Sequence, residues 1–410
     1  MQFKSEKTKS LLITLVVAFV ASGIAQAYEY EVTIIPSVPE AFATTPTALN
    51  NNGTVIGVAQ STPSEAGFYL AGWQWTEAEG LIMLPPAPDP MSQRFQPNDI
   101  NDDGVIVGDG GVDFGRVWRL DSEGYMLIGS LPTYNGSWGV SINSFGDVVG
   151  SAFNPLSFLT PRRALVFTDL AGLEDLFPDM SASGASAIND DGQIAATAGG
   201  GLRVEPDGTR TYIPIADGFV GMSASQINNN GDVAGAAICS HECDQPYLFT
   251  DEDGVQLITP MGIRHIVAGV NIHREVVGRV TEGGTPAWHW SQETGTRALQ
   301  DLIDPTLGLG ILAAWDINDN GQIIATGIDL SDLVDPRKII LLTPVTTEVM
   351  GDMDADGDVD LVDFANFQLC FTGPGVPVAE GACEFSDFDA DGDCDLVDFN
   401  QFQLAFTGAQ

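Results

Sequence analysis

Basic residues are scarce in this chain. Its 410 residues hold 16 Lys and Arg against 56 Asp and Glu, a formal net charge of −40. Beyond residue 27 a single lysine remains, Lys338. A surface of that sign repels polyphosphates and anionic bilayers, which excludes nucleic acid as a partner and membrane insertion as a mode of action. Histidine is rare too, with four: His241, His265, His273 and His289. The signatures G-x-S-x-G, H-E-x-x-H, Walker A and G-x-G-x-x-G are all missing, so no motif-borne hydrolase, zinc-peptidase or nucleotide site is read. His273 lies two residues from Glu275, but no nucleophile motif accompanies the pair, and no catalytic residue is assigned. Long apolar runs are missing as well. The best candidate, Leu11 to Val20, is too short to span a bilayer.

That run has another meaning. Lys4, Lys7 and Lys9 precede it and Ala25-Gln26-Ala27 follows it, the pattern of an export signal cleaved after Ala27. The expected location is secreted, extracellular or at the cell surface. The five cysteines fit an oxidising compartment. Cys239 and Cys243 flank Ser-His-Glu, a span that a disulfide can close; the alternative is a metal site using His241.

What is abundant is repetition. A motif I-N-x-x-G-x-V-x-G recurs seven times, with asparagines at Asn50, Asn101, Asn143, Asn189, Asn228, Asn271 and Asn318, spaced 39 to 51 residues apart. That period suits one four-stranded propeller blade. The N-x-x-G centre is a tight turn between strands, because Asn tolerates and Gly favours a positive φ. The sixth copy carries Arg274 where the glycine is expected. Third strands follow, ending at Trp75, Trp118, Phe167, Val204, Phe249, Trp290 and Leu341, and most repeats add a fourth, such as Leu81 to Leu84. The last repeat stops after its third strand, while an unpaired strand-like segment, Glu31 to Pro36, opens the body. The fold expected over residues 28–343 is therefore all-β, a seven-bladed propeller closed by the N-terminal strand. These repeats resemble the HAF family of extracellular repeats, a resemblance that implies a propeller-like fold and carries no activity.

Beyond a linker at 344–350, residues 351–410 read as a small α-helical module with two calcium loops. DMDADGDVDLVD from Asp352 and DFDADGDCDLVD from Asp387 both match the D-x-[DN]-x-[DN]-G calcium-loop pattern, 35 residues apart. The candidate metal ligands are Asp352, Asp354, Asp356, Asp358, Asp360 and Asp363 in the first loop. In the second they are Asp387, Asp389, Asp391, Asp393, Asp395 and Asp398. Asp358 and Asp393, at position 7, would offer backbone carbonyls. Hard oxygen ligands at this spacing suit two Ca²⁺ ions, and without a cation so many carboxylates cannot lie this close. After each loop comes DFxxFQLxFTG, with Phe364 and Phe367, then Phe399 and Phe402, at helical spacing. The pair resembles a type I dockerin module of the planctomycete kind. That resemblance implies a cohesin-like or surface-protein partner, and it implies a Cys370–Cys383 bridge across the linker. Loop positions 10 and 11, small hydroxyl residues in many such modules, are Leu361-Val362 and Leu396-Val397 here; they either face a partner or pack within the module. Cys394, at position 8, reads as a buried thiol, although the pairing among the three tail cysteines stays open.

Trp73, Trp75, Trp118, Trp288 and Trp290 on third strands read as inter-blade packing. Trp138 and Trp315, just ahead of their I-N motifs, either belong to the core or line a sugar-binding face. The function expected is non-catalytic binding: the propeller recognises a glycan or protein, and the tail docks to a surface or assembly. The alternatives are a polysaccharide-active hydrolase or lyase with its acids on the propeller face, and a structural matrix protein.

Overall fold

The computed structural model describes residues 28–345 apart from short segments (62–69, 89–93, 112–114, 156, 158–159, 241–243, 260–263, 282–286 and 333–334). Near the C-terminus it describes residues 351, 353, 359, 361–378, 383, 386–389 and 391–405. The export signal read over residues 1–27 lies outside the described residues.

The body folds as a seven-bladed β-propeller, each blade a four-stranded antiparallel sheet. The first blade takes Ala43–Leu49, Val55–Gln60, Leu70–Thr76 and Gly80–Met83 in chain order from the inner to the outer strand. Blades two to six repeat that order. The seventh takes Leu309–Ile317, Ile323–Asp329 and Arg337–Pro344 from the end of the body. Its fourth strand is β1 (Tyr30–Ile35), which runs antiparallel to Arg337–Pro344 with Tyr30 opposite Pro344 and Ile35 opposite Ile339. The closure expected from the incomplete last repeat is thus observed. It leaves no unpaired edge between the first and last blades.

Apolar side chains fill the wedges between neighbouring blades. Trp73 and Trp75 of blade one pack with Ile35, Ile324, Ile339 and Leu341 of blade seven. Trp288 and Trp290 of blade six pack with Ala234, Leu248 and Ile258 from blade five. Trp118 joins Ala48 and Ile56 of blade one. The third-strand tryptophans are therefore inter-blade core. They also explain the last glycine of the motif: a Cβ at Gly57 would collide with the Trp73 ring and the Thr45 carbonyl, and one at Gly278 with Trp288 and the Ile266 carbonyl.

The motif asparagines do more than shape turns. Each Oδ1 accepts backbone N–H groups within its own turn, as Asn318 does from Asn320 (3.1 Å) and Gln322 (2.8 Å). Each Nδ2 donates to the carbonyl of the motif asparagine in the next blade. The run goes from Asn50 to Asn101 (3.0 Å), to Asn143 (2.9 Å), to Asn189 (3.2 Å), to Asn228 (2.9 Å), to Asn271 (2.8 Å), to Asn318 (3.3 Å) and back to Asn50 (3.0 Å). All seven side chains are buried. The amide is donor and acceptor at once, so one side chain serves its own turn and the neighbouring blade together.

The acids of the N-D-D-G and N-D-N-G turns have a similar task. Asp102 accepts from the Asn51 N–H (2.8 Å), Asp190 from Ser144 (2.7 Å) and Asp319 from Ile272 (3.0 Å), each in an adjacent blade. Arg274, in the glycine position of the sixth turn, adopts φ 61°. Its guanidinium meets buried Asp232 at 3.1 Å.

In the C-terminal region, α1 (Leu361–Cys370) and α2 (Leu396–Ala405) follow the two loops. Phe367 and Phe402 stack at 5.1 Å between ring centroids, and Phe364 meets Phe399 at 5.8 Å. Val359 and Cys394 complete this small core. Cys370 and Cys383 form a disulfide, and Cys394 is a buried free thiol. Cys239 is disulfide-bonded; its expected partner Cys243, with His241, lies outside the described residues.

Candidate functional site

The inner strands carry an irregularity that the repeat pattern did not announce. In all seven the pairing slips by one residue just before the I-N motif, as between Pro97 and Asp99 or Ala314 and Asp316. An unbroken strand sends successive side chains to opposite faces; a bulge turns two of them the same way. Asn98 and Asp99, Val140 and Ser141, and Trp315 and Asp316 consequently all face one cavity of about 570 Å³. It lies among the inner strands of the propeller, and Trp138 and Gln226 also line it.

The cavity is polar with two aromatic surfaces. Trp138 and Trp315 are half-buried, and Trp315 also packs against the apolar core between blades one and seven. Arg279 stacks over Trp315 at 4.3 Å and Arg162 over Trp138 at 4.8 Å. The Trp315 Nε1–H donates to Thr326 Oγ1 (3.1 Å), which sets the ring's orientation. Asn98 donates to Asp109 (3.0 Å) and to the Gly139 carbonyl (2.7 Å).

Three acids belong to this cavity. The oxygens of Asp99 accept from the N–H groups of Ile100 (2.9 Å) and, in the next blade, Ile142 (2.9 Å). Those of Asp316 accept from Ile317 (2.9 Å) and from Leu49 of blade one (3.0 Å). Burial pushes the Asp99 carboxyl above its ordinary range, and the Ile142, Ser141 and Ile100 hydrogen bonds restore only part of the shift. Burial, then the charge of Asp99, drives Asp316 well above that range. Burial also raises Asp109, against a hydrogen bond from Asn98 and the charge of Arg94. Such a site can hold a small polar ligand with an apolar face, and its carboxyls hold their protons more tightly than free ones.

Sequence reading placed Trp138 and Trp315 on the inner strands but missed Asp99, Asp109 and Asp316. A signal existed. The residue before each I-N is Ala48, Asp99, Ser141, Ala187, Gln226, Gly269 or Asp316, so the position varies while its flanks repeat. His273 and Glu275 lie apart from this site. Glu275 accepts from Asn271 (2.8 Å) in the sixth turn and pairs with buried His289 at 3.0 Å.

In the C-terminal module the second loop is described and most of the first is not. Asp352, Asp354, Asp356, Asp358 and Asp360 lie outside the described residues. Asp387, Asp389 and Asp391 converge within 4.8 Å of one another, as do Asp393, Asp395 and Asp398. These acidic clusters can bind a metal ion, and donor sets made wholly of carboxylates fit a hard cation. Partial desolvation, then the charges of Asp391, Asp398 and Asp387, raises Asp389. Asp363 and Asp398 play matching parts: Asp363 Oδ1 accepts from the Met353 N–H (2.5 Å) and Asp398 Oδ1 from that of Phe388 (2.7 Å), the same loop position in both copies. Leu361, Val362, Leu396 and Val397 are exposed and do not pack inside the module.

Among the described residues no helix is long and apolar enough to cross a membrane. No family model and no curated protein matches the chain. Solved structures similar in fold include a streptogramin B lyase, 12% identical over 77% of this chain and 98% of that one, with a TM-score of 0.45. Another is the virginiamycin B lyase of Staphylococcus aureus, 13% identical over 78% and 100%, with a TM-score of 0.47. The acylaminoacyl peptidase of Pyrococcus horikoshii is 12% identical over 74% and 51%, with a TM-score of 0.46. At such identities the likeness is one of fold alone.

Proposed function

We propose that this is a secreted, non-catalytic carbohydrate-binding protein, with the glycan held in the axial cavity and the C-terminal module docking the chain to a surface or assembly. The cavity carries the reading: Trp138 and Trp315 stand beside Asn98, Ser141, Gln226 and the acids. Sugars offer an apolar ring face and equatorial hydroxyls, and indoles with planar amide and carboxyl groups suit both. In the module, the two acidic loops would each hold one Ca²⁺, and the resemblance to dockerins supports a protein partner. The Cys370–Cys383 disulfide is compatible with export.

One observation favours a second reading. Asp99 and Asp316 are carboxyls shifted toward the neutral form, the state a general acid needs. On that reading the cavity cleaves a polysaccharide. A glycan array on the whole protein, run beside a hydrolysis assay on every glycan bound, separates the two. Retention without turnover supports binding, turnover supports the enzyme, and an array with no retained glycan contradicts both.

A further inference from the structure

The cavity has a charge asymmetry that points to a narrower class of ligand. Asp99 stands on blade two and Asp316 on blade seven, with Ala48 of blade one between them at the same repeat position. All four carboxylate oxygens accept one backbone N–H each, which leaves further lone pairs for the cavity that both residues line. Among the described residues neither acid forms an ion pair. The other charged residues lining the cavity are Asp109 and Arg94, and the Arg94 charge acts on Asp109. Arg162 and Arg279 cover the two indoles but do not line the cavity. Arg279 donates to the Ala314 carbonyl (3.1 Å).

Two half-buried carboxylates therefore lack a counter-charge beside an indole that the bulge at Trp315 holds next to Asp316. Carboxylates drawn partly out of water without a cation are costly, and the raised affinity of both for protons is the response expected. A neutral sugar would leave that cost in place, and a uronate would add to it. A bare divalent ion would offset the charge but leave the indoles and most of the 570 Å³ unfilled.

Resting on the sugar-binding reading above, we propose that the axial cavity selects a cationic amino sugar, its ammonium group between Asp99 and Asp316 and its pyranose ring against Trp315. The test uses the full chain and three methyl glycosides that differ at one carbon: methyl β-glucosaminide, its N-acetyl derivative and methyl β-glucoside. Near-neutral buffer keeps a share of the amine protonated without pressing the two carboxyls toward their neutral form, and physiological salt screens the −40 surface. Titration by ligand-observed NMR should show the glucosaminide binding about tenfold more tightly than the glucoside, or about 1.4 kcal/mol. The Asp99→Asn/Asp316→Asn double variant should lose that preference. Equal affinities, or a preference for the N-acetyl form, would overturn the amino-sugar assignment and leave the sugar-binding reading standing. No binding of any of the three would overturn both. The wild-type titrations decide the matter even if the double variant fails to fold.

Discussion

The side-chain amide of Asn318 donates to the backbone carbonyl of Asn50 at 3.0 Å, joining residues 268 apart in the chain. This bond completes the ring of seven asparagines just where β1 completes the seventh sheet. Closure is therefore made twice: by a strand ladder at the outside of blade seven and by an amide at the turn of its inner strand.

Asn318→Ala removes this bond, the turn acceptors for Asn320 and Gln322, and the partner of a buried carbonyl. It should cost about 2–4 kcal/mol of stability. Urea unfolding of the variant against the parent measures this. A midpoint within error of the parent would show that the ring is incidental.

Deleting residues 28–38 takes away β1 and exposes the edge of Arg337–Pro344. The truncated protein should melt at a lower temperature or aggregate. A parental melting curve would contradict the strand closure as a source of stability.

Gly57→Ala places a methyl group against Trp73 and the Thr45 carbonyl. Overpacking of this kind costs about 1–3 kcal/mol. Replacing Gly80, where φ is 71° and the added Cβ meets nothing, tests backbone strain without the collision. Thermal unfolding of both variants separates the two effects: Gly57→Ala crowds the core, so Gly57→Ala combined with Trp73→Phe should recover part of the loss.

The Asp316 carboxyl is raised in the folded state, so it binds its proton more tightly there than in the unfolded chain. Its contribution to stability is complete below the ordinary carboxyl value of 3.8 and is lost as pH rises through the folded value. The stability of the parent relative to Asp316→Asn, which does not titrate, should accordingly grow as pH falls from neutral toward about 4. Denaturant unfolding across that interval checks the sign, and a difference independent of pH would refute it.

In the C-terminal module, Asp387→Ala should weaken one of the two proposed calcium sites and Asp352→Ala the other, read by calorimetry on chelator-treated whole protein. The exposed pairs Leu361-Val362 and Leu396-Val397 predict two nearly equivalent docking surfaces. Changing either pair alone should leave partner capture largely intact, and changing both should abolish it without altering calcium affinity. Loss of all capture from a single-pair change would contradict the equivalence.

The propeller was legible because its parts repeat. Asn50 to Asn318 recur at blade length, Trp75 and Trp290 mark equivalent third strands, and the truncated last repeat called for β1. The ring was not legible, since a side-chain bond to the next blade leaves no trace beyond the asparagine that the turn already explains. The cavity was harder still. Alternation along a strand predicts that Trp315 and Asp316 face opposite ways, and only the bulge between Ala314 and Asp316 brings them together. The proposed function of this site rests on positions where the repeats differ, such as Ala48, Asp99 and Asp316, and those are the positions that a repeat motif averages away. In the tail, the Asp387 loop and the buried Phe367 and Phe402 followed from local pattern alone.

The most direct test of carbohydrate binding in the axial cavity is the affinity of the Trp315→Ala variant for whichever of the three methyl glycosides the parent binds best. Loss of one sugar–indole contact, on the scale of about 1–2 kcal/mol, predicts affinity weakened about tenfold or more in variant protein that is still folded at the temperature of the titration. Unchanged affinity in that variant, with saturable binding retained, would place the sugar elsewhere and contradict the account.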